Sequence, residues 1–499
     1  VNRGVSYWES KNDKRILYTA GSLLFAIDAL TGKPVGSFGA SGVTSLKAGL
    51  GVRAADLFVI ATSPGAVYND LLIIGTRVSE NADAAPGYVR AFNIFTGKVE
   101  WVFHTIPKPG EYGYSTWPKN AYNQIGGANA WAGISLDKKR GVVYIPTGSA
   151  SFDFWGGNRL GKNLFANSII ALDASTGKRI WHYQTVHHDI WDRDLPAPPN
   201  LISVKHNNKM VDAVAQITKS GYVFLLNRDT GEPLFPVEER KVMKSDLIGE
   251  EAWETQPFPL KPPPFSRQRF TENEITNISE ESYEYVKSIL DTIRTGEQFI
   301  PPSIQGTMYF PGFDGGAEWG GASFDIETGV LYVNANEMPW IQHMVPLDLN
   351  NNGSVKPKTV YDVGKRIYRA NCAICHGQEL QGDIKGTFPH TTGTYPSLKN
   401  LDKKLSREET IKIIEKGKGF MPSYTQFSKD KKSALLAFLY NENPSIDSNN
   451  SNNDSWLESL SKELSEFKIP YTHTGYNLSL IHISEPTRRY AISYAVFCL

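Results

Sequence analysis

One phrase of alternating apolar and polar residues, closed by Thr-Gly, recurs through the N-terminal part of the chain. Each copy predicts a β-hairpin, because alternation buries one face of a strand and glycine permits the positive φ of a tight turn. Two further strand pairs, GAVYNDLLIIGT and GISLDKKRGVVYIPTG, lie between the copies. The copies are LFAIDALTGKPVGSF at 24–38, VRAFNIFTGKVEWVF at 89–103, IIALDASTGKRIWHY at 169–183, and the looser VFLLNRDTGEPLF at 223–235 and GASFDIETGVLYV at 321–333.

Five related hairpins favour an all-β propeller, in which radial stacking protects the edges of the sheets. A β-sandwich with similar hairpins remains the alternative. The composition agrees with turn-rich β-structure, since the chain contains 43 Gly, 29 Pro, 24 Phe, 23 Tyr and 11 Trp.

The period of the apolar positions changes after residue 345. A polar segment, DLNNNGSVKPK, is followed by YDVGKRIYRANCAICHG, SREETIKIIEKGKG and SKDKKSALLAFLYNEN, whose apolar residues recur at helical spacing. The later segment SEFKIPYTHTGYN again has the pattern of a strand. We therefore expect a propeller over 1–345, an inserted all-α domain over 346–445, a polar linker over 446–463, and a return to the propeller over 464–477.

Both ends of the chain are unusual. The sequence begins without methionine, and residues 478–499, LSLIHISEPTRRYAISYAVFCL, differ in composition from the rest. We expect 478–499 to be a non-native tail and the propeller to be truncated at its N-terminus and incomplete.

The charges exclude some classes of partner. Lys plus Arg and Asp plus Glu are both 52, so no nucleic-acid or polyanion partner is expected. The chain contains no run of eighteen apolar residues, so no membrane-spanning helix is predicted. Association with a membrane surface stays open. With three cysteines, two of them in one motif, no disulfide framework is predicted.

The segment CAICH at 372–376 has the spacing of a haem c site. Cys372 and Cys375 would form thioethers to the haem, and His376 would bind the iron from the same turn. Met421 is the candidate for the opposite iron ligand. One alternative is a zinc site, but zinc needs four ligands and only His390 follows nearby. The other alternative is that the motif occurs by chance. Because haem c is attached outside the cytoplasm, a location in the periplasm or at the cell exterior is expected, with membrane association possible.

The stretch TVHHDIWDRDLPAPPN at 185–200 interleaves His, Asp and Arg with Trp191 and ends in three prolines. Catalysis, metal binding and a solvated surface loop all remain open for such a segment when it is taken alone.

Several motifs taken together resemble the quinoprotein alcohol and sugar dehydrogenases. They are RGVSYW, DALTGKPVGSFG, PTGS followed by FWGGNR, HHDIWDRDLPAPP and TKSGYVFLLNR. The resemblance extends almost to Asn477 and is strongest to glucose-dehydrogenase-like members with an inserted cytochrome c domain. It implies an eight-bladed propeller that holds pyrroloquinoline quinone (PQQ).

The resemblance also implies roles for single residues. Asp192 falls at the catalytic carboxylate, which takes the proton of the substrate hydroxyl. Lys219 falls at the cation that contacts the quinone oxygens, and Trp131 at the indole on which the cofactor stacks. A solvated loop, a surface lysine and a core tryptophan are the ordinary alternatives. Further candidates for the cofactor pocket are Arg53, Thr62, Glu318 and Trp319.

The family binds Ca²⁺ or Mg²⁺ beside the quinone, and the expected ligands are Asp192, Glu80 and Ser149, with Asp153 as a further possibility. Ser149 stands where the family commonly has asparagine, and Trp8 where the glucose enzymes have histidine. His187, His188, Asp189 and Asp194 are expected to brace the loop.

The predicted function is a periplasmic dehydrogenase that oxidises an alcohol or aldose sugar at PQQ and passes electrons singly to haem c, then to a downstream cytochrome or quinone. One alternative is a non-catalytic propeller scaffold fused to an electron-carrying cytochrome c. Another is a propeller with its own haem, similar to the cytochrome nitrite reductases.

Overall fold

A computed structural model describes residues 4–82, 84–346, 359–372, 376–377, 379–382, 396–418, 421, 424, 427–442, 470–477 and 492–498. The chain divides into two compact units. Unit 1 comprises Val1–Pro346 and Tyr471–Leu499, and unit 2 comprises Leu347–Pro470. Unit 2 occupies the connection between two paired strands of unit 1, because Pro346 and Tyr471 are cross-strand partners.

The described strands of unit 1 form three sheets of four antiparallel strands, in which each strand pairs with the next strand of the sheet along the chain. This up-and-down order is typical of propeller blades. Sheet 1 contains Ser6–Ser10, Asp13–Ala20, Leu23–Asp28 and Val43–Ser45; sheet 2 contains Ala66–Tyr68, Leu71–Ile74, Val89–Asn93 and Val99–Phe103; sheet 3 contains Ser135–Asp137, Val142–Pro146, Ser168–Asp173 and Arg179–Gln184.

The remaining described strands of unit 1 form smaller sheets. Sheet 4 contains Asn200–His206, Lys209–Ile217 and Val223–Asn227; sheet 5 contains Thr307–Tyr309, Trp340–Pro346 and Tyr471–Asn477; sheet 6 contains Ala322–Asp325, Val330–Asn336 and Ile492–Cys498; two ribbons pair Val59–Ile60 with Arg77–Val78 and Val237–Lys241 with Thr255–Pro259. The helices of unit 1 are Ala121–Gln124 and Glu280–Leu290, with 3₁₀ turns at Val52–Asp56, Tyr114–Thr116 and Glu272–Glu274.

The repeated phrase folds into the same turn in all five copies. The side chain of the Asp or Asn before the turn accepts hydrogen bonds from the backbone N–H groups two and three residues later. The glycine N–H donates to the carbonyl of that Asp or Asn at 2.8 or 2.9 Å. The acidic or amide side chain therefore fixes the corner, and the first residues of the five turns are Asp28, Asn93, Asp173, Asn227 and Asp325.

The predicted hairpin is confirmed in the copies at 89–103, 169–183 and 321–333, where both strands pair. It is wrong for the copies at 24–38 and 223–235, in which only a single bridge follows the turn. Pro34 and Pro233 stand at those bridges. Proline has no N–H to donate to a ladder, so the second strand does not form.

Two tryptophans connect neighbouring sheets by hydrogen bonds. Trp101 of sheet 2 donates from Nε1 to the carbonyl of Ala174 at 3.2 Å, in the Thr-Gly turn of sheet 3. Trp181 of sheet 3 donates to the carbonyl of Arg228 at 3.0 Å, in the turn of sheet 4. Each indole packs directly against the turn glycine, Gly177 or Gly231. The aromatic residue after one turn therefore binds the equivalent turn of the next sheet.

The described part of unit 2 contains three helices that the sequence predicts, Val360–Asn371, Arg407–Lys416 and Lys429–Leu439, and a 3₁₀ turn at Leu401–Lys403. Ser406 and Ser428 accept hydrogen bonds from backbone N–H groups at the starts of the second and third helices. The apolar faces of the three helices share one core that includes Tyr368, Ile414 and Phe438.

The C-terminal segments were also assigned from the sequence. The predicted strand within 464–477 is confirmed as Tyr471–Asn477. Ile492–Cys498 forms a strand that pairs with Val330–Asn336. Residues 478–491 lie outside the described part of the chain. The non-native origin of 478–499 stays an expectation. The predicted polar linker 446–463 also lies outside it. Across the described ranges, no helix has the length and apolar content needed to cross a bilayer.

The contact between Trp101 and Gly177 gives a test of the sheet order. Gly177 has φ of 69°, and a Cβ there would lie 2.5 Å from the indole. Gly32 occupies the same turn position with φ of 70°, but a Cβ there meets nothing within 4 Å. Gly32→Ala should cost about 1 kcal/mol from backbone strain, and Gly177→Ala about 1–3 kcal/mol more, because the indole must move. Urea unfolding of the two variants measures the difference, and equal losses would contradict this packing.

Candidate functional site

The buried carboxylate of Asp189 holds the loop of residues 185–198 in place by hydrogen bonds. Asp189 accepts hydrogen bonds from the backbone N–H groups of Trp191 at 2.8 Å and Arg193 at 2.6 Å. Its Oδ2 also accepts from Asn167 Nδ2 at 2.7 Å and from the Ser149 hydroxyl. The alternative of a solvated surface loop is therefore wrong for this segment, whose Trp191 side chain is fully buried.

Both histidines brace the same loop, as expected. His188 Nε2 lies 2.8 Å from Glu250 Oε1, and its Nδ1 lies 2.9 Å from the carbonyl of Gly161. His187 bridges Gln184 at 2.7 Å and Glu239 at 3.0 Å. Burial alone would raise the pKa of Glu250, but the hydrogen bond from His188 holds it below its ordinary value.

Asp192 and Lys219 form a buried pair. Lys219 Nζ donates to Asp192 Oδ2 at 2.9 Å, and the two side chains are 8% and 19% exposed. Asp192 has φ of 55°, a conformation that non-glycine residues adopt rarely and that is frequent at functional sites. Two residues that sequence analysis assigned to one reaction are thus in direct contact across 27 positions of the chain.

Opposed effects set the protonation of this pair. Burial raises the pKa of Asp192 well above its ordinary value, and the carboxylates of Asp194 and Glu80 add to this, while Lys219 acts against it. Burial lowers the pKa of Lys219, but the neighbouring carboxylates of Asp192 and Asp194 outweigh burial and raise it. Burial therefore opposes, and Lys219 favours, the ionised carboxylate that a general base requires.

Trp131 is tied to the same loop. Its Nε1 donates to Asp194 Oδ2 at 2.7 Å, and Asp194 Oδ1 accepts from the backbone N–H of Ser149 at 2.6 Å. The Thr62 hydroxyl donates to the carbonyl of Trp131 at 2.9 Å. The structure therefore brings Trp131, Thr62 and Ser149 together with the Asp192–Asp194 segment.

A glycine-rich loop contributes two more acids. Gly316 N donates to the carbonyl of Lys219 at 2.6 Å, so the loop packs on the lysine backbone. Burial raises the pKa values of both Asp314 and Glu318, and Lys219 acts against burial in each case. Glu318 thus lies close enough to Lys219 for their charges to interact, while the adjoining Trp319 is 57% exposed.

Arg53, a predicted pocket residue, and Glu80, an expected cation ligand, contact other residues than the Asp192–Lys219 pair. Arg53 donates to the carbonyls of Ala84 at 2.7 Å and Ile125 at 2.9 Å. Glu80 is exposed and pairs with Arg77 at 3.2 Å. The charge of Glu80 nevertheless raises the pKa values of Asp153 and Asp192, so it belongs to the same electrostatic environment.

The residues fit the two groups that the family resemblance implies. Lys219 Nζ carries three protons and donates one hydrogen bond within the described chain, which leaves donors for quinone oxygens. Asp153 is 8% exposed, and its carboxyl group receives no hydrogen bond from the described residues. Burial and the charges of Asp192 and Glu80 raise its pKa. Such a carboxylate suits a hard cation.

No preformed cluster of three or more His, Cys, Asp or Glu ligands exists among the described residues. The Ser149 hydroxyl donates to Asp189, so it is already engaged. Of the expected cation ligands, Asp192 and Glu80 share an electrostatic environment, whereas Ser149 contacts the site through its backbone N–H.

Three of the four predicted haem residues, Cys372, His376 and Met421, lie in the described part of unit 2. Cys372 and Met421 both pack against the core of the three helices. His376 N donates to the carbonyl of Cys372 at 2.9 Å, and the buried His376 ring places Nδ1 2.9 Å from the carbonyl of Pro396. That contact leaves Nε2 for a metal. Cys375 lies outside the described residues.

Several residues close to the site were not predicted from the sequence. Asp314 precedes a Gly-Gly pair and accepts from Trp340 Nε1 at 3.0 Å, and Arg159 and Arg193 are fully buried behind the loop. Asp314 and Glu318 flank the same short glycine-rich segment, a signal that could have identified both. The two arginines carried no such signal.

Comparisons with known proteins agree with this arrangement. The family described as PQQ: Glucose/ethanol/alcohol dehydrogenase, beta-propeller domain matches residues 1–401. The quinate/shikimate dehydrogenase (quinone) of Acinetobacter baylyi is 32% identical over 351 residues, which cover 68% of this chain and 43% of that relative. Quinoprotein glucose dehydrogenase A of Acinetobacter calcoaceticus is 33% identical over 350 residues, which cover 67% and 42%.

Among solved structures, the quinohemoprotein alcohol dehydrogenase ADHIIG of Pseudomonas putida HK5 is similar with a TM-score of 0.50 and 26% identity, over 70% of this chain and 45% of that one. This chain spans less than half the length of these relatives. The family match confirms the predicted β-propeller. The chain belongs to the PQQ-dependent glucose/ethanol/alcohol dehydrogenase β-propeller family.

Proposed function

We propose that this chain is the PQQ-binding part of a periplasmic quinohaemoprotein dehydrogenase that oxidises an alcohol or an aldose sugar. The observation that supports this function best is the buried pair of Asp192 and Lys219, 2.9 Å apart. Relatives named for quinate/shikimate and for glucose are 32% and 33% identical over 68% and 67% of this chain.

Asp192 acts as the general base. Its Oδ2 accepts the hydrogen bond from Lys219, and Oδ1 receives none from the described residues, so Oδ1 takes the proton of the substrate hydroxyl. Lys219 keeps Asp192 oriented and presents its remaining N–H donors to the quinone oxygens. When bound, PQQ accepts two electrons from the substrate carbon, and haem c would pass them on singly to a cytochrome or quinone.

Further residues complete the two cofactor sites. Trp131, oriented by Asp194, would stack on the flat cofactor, with Thr62, Arg53, Glu318 and Trp319 around it. A Ca²⁺ or Mg²⁺ ion would be held by Asp192 and Glu80 together with Asp153, and Ser149 has the weaker claim because Asp189 engages its hydroxyl.

Unit 2 is the cytochrome c domain of this proposal. Cys372 and Cys375 would carry the haem, and His376 and Met421 would bind the iron. The packing of Cys372 and Met421 on one helical core, and the contact of His376 Nδ1 with Pro396, support this role. The insertion of unit 2 between two paired strands agrees with an inserted domain.

Asp192→Asn keeps the size of the side chain but removes the base. Dye reduction by alcohols or sugars, in full chain supplied with PQQ and Ca²⁺, should fall about 10²- to 10⁴-fold. The haem absorption spectrum should not change. Asp70→Asn, at an exposed turn, is the matched control and should retain activity. Retention of normal turnover in the Asp192 variant would exclude it as the base.

Met421→Ala tests the iron ligand. Covalent haem should remain attached through the cysteines, but the reduction potential should fall, because a Met/His ligand pair raises it. Potentiometric titration measures this shift. Met210→Ala, at an exposed methionine of unit 1, is the control. Absence of covalent haem in the parent chain, matured with a haem-attachment system, would refute the haem c assignment.

A further inference from the structure

A ribbon of two strands, within residues 237–259, contacts the 185–198 loop at two consecutive residues. Gln256, on the second strand, accepts a hydrogen bond from the backbone N–H of His187 at 2.8 Å and donates to its carbonyl at 2.7 Å. Glu250, in the connection between the two strands, reaches the side chain of the next residue. The ribbon therefore holds the loop through both backbone and side-chain contacts.

The contact of Glu250 with His188 is closed to water, since neither side chain is exposed. His188 Nδ1 lies 2.9 Å from the carbonyl of Gly161, and a carbonyl can only accept, so Nδ1 carries a hydrogen. His188 Nε2 lies 2.8 Å from Glu250 Oε1, and this contact requires a second hydrogen between the two atoms. The ring of His188 is thus held from both sides.

Both carboxylate oxygens of Glu250 also accept from the backbone. Oε2 accepts from the N–H of Gly156, and Oε1 accepts from the N–H of Glu251 at 2.9 Å. An amide has only one acceptor oxygen, so Glu250→Gln would place an NH₂ group against one of these N–H groups. The position therefore requires a carboxylate, and an amide of the same size does not satisfy its donors.

Glu250 also balances a buried cation. Arg159 is fully buried behind the loop and donates to the carbonyl of Asp189 at 2.6 Å. Burial lowers the pKa of Arg159, and the carboxylates of Glu250 and Asp189 act against burial. Buried ionic groups add little stability compared with apolar residues of similar size. Their presence here favours a role in fixing one conformation of the loop.

The contact of His188 is transmitted to Asp192 along the loop. The two residues have φ of 45° and 55°, so two non-glycine residues of one loop are held in the left-handed region, as is frequent at functional sites. Asp189 directly follows His188. Its carboxylate accepts from the N–H groups of Trp191 and Arg193, on either side of Asp192. Rotation of His188 out of the left-handed region would therefore displace Asp189 and, with it, Asp192.

We infer that Glu250 is a positioning residue, which holds the Asp192 carboxylate, through His188 and Asp189, in the orientation that accepts the substrate proton. This inference rests on the proposed function and deepens it. Glu250 itself contacts neither substrate nor cofactor in this role. Glu239, the other carboxylate of the ribbon that pairs with a histidine of the loop, is 50% exposed, so water can replace its contact.

Glu250→Gln tests the inference in full chain supplied with PQQ and Ca²⁺. The assay uses whichever of D-glucose, glycerol and ethanol the parent chain oxidises fastest, and kcat is expressed per bound PQQ, so that unfolded molecules are not counted. We expect kcat to fall about 10- to 100-fold with KM and PQQ affinity little changed, because a displacement of about 1 Å in a reacting group has an effect of this size. Glu251→Gln, at the neighbouring exposed carboxylate, is the matched control and should retain kcat.

The Asp192→Asn background shows whether Glu250 acts through Asp192. Single-turnover reduction of bound PQQ by the same alcohol is compared in the two single variants and the double variant. Once the base is absent its orientation no longer matters, so Glu250→Gln should lower the rate of the Asp192→Asn protein by less than about twofold. A merely structural role would lower the rate by the same factor in both backgrounds.

Hydrogen–deuterium exchange gives a readout that needs no cofactor. In the full chain without PQQ, the backbone of residues 185–195 should exchange faster in Glu250→Gln than in Glu251→Gln. The reason is that the N–H groups bonded to Asp189 lose protection when the loop is released.

Each outcome decides. If Glu250→Gln has the kcat of the parent per bound PQQ, the inference fails and the dehydrogenase function stands. Equal losses in the two backgrounds, unchanged exchange of residues 185–195, or a loss confined to PQQ affinity would also overturn it. If the parent oxidises none of the three alcohols, or if Asp192→Asn is as active as the parent, the proposed function fails and the inference with it.

Discussion

A carboxylate and an ammonium group, Asp192 and Lys219, are held 2.9 Å apart with little exposure to water. Burying either charge alone would be costly, so each group is tolerated only because the other is fixed beside it. The positive φ of Asp192 and the four hydrogen bonds that Asp189 accepts hold this geometry. The loop therefore supports Asp192 rigidly, and in the proposed function the Oδ1 atom of Asp192 accepts the proton.

The scaffold explains how segments far apart in sequence reach this pair. Trp101 and Trp181 each bind the Thr-Gly turn of the following sheet, so successive sheets keep a fixed order. The residues that connect strands then lie together, as Trp131 and Asp194 do at 2.7 Å. Function in such a fold is carried by connecting loops, while the repeated turns carry stability.

Much of this could be predicted from the sequence, for identifiable reasons. The alternating phrases gave the strands, and helical spacing gave the three helices of unit 2, because both patterns are local. The failures also have local causes, since Pro34 and Pro233 removed two expected strands. Asp314, Arg159 and Arg193 were missed because their importance comes from contacts across long sequence separations, such as Arg193 with Pro311 and Gly312.

The most direct test of the account is equilibrium binding of PQQ to the full chain in the presence of Ca²⁺, followed by quenching of tryptophan fluorescence. We expect saturable binding near one equivalent, weakened at least tenfold by Lys219→Ala. Lys33→Ala removes the same charge at an exposed position directly after the Thr-Gly turn of sheet 1, and it should leave the affinity unchanged. Equal affinity of the parent chain and the Lys219 variant, or no uptake of PQQ by the parent, would contradict the assignment of this buried pair to the quinone.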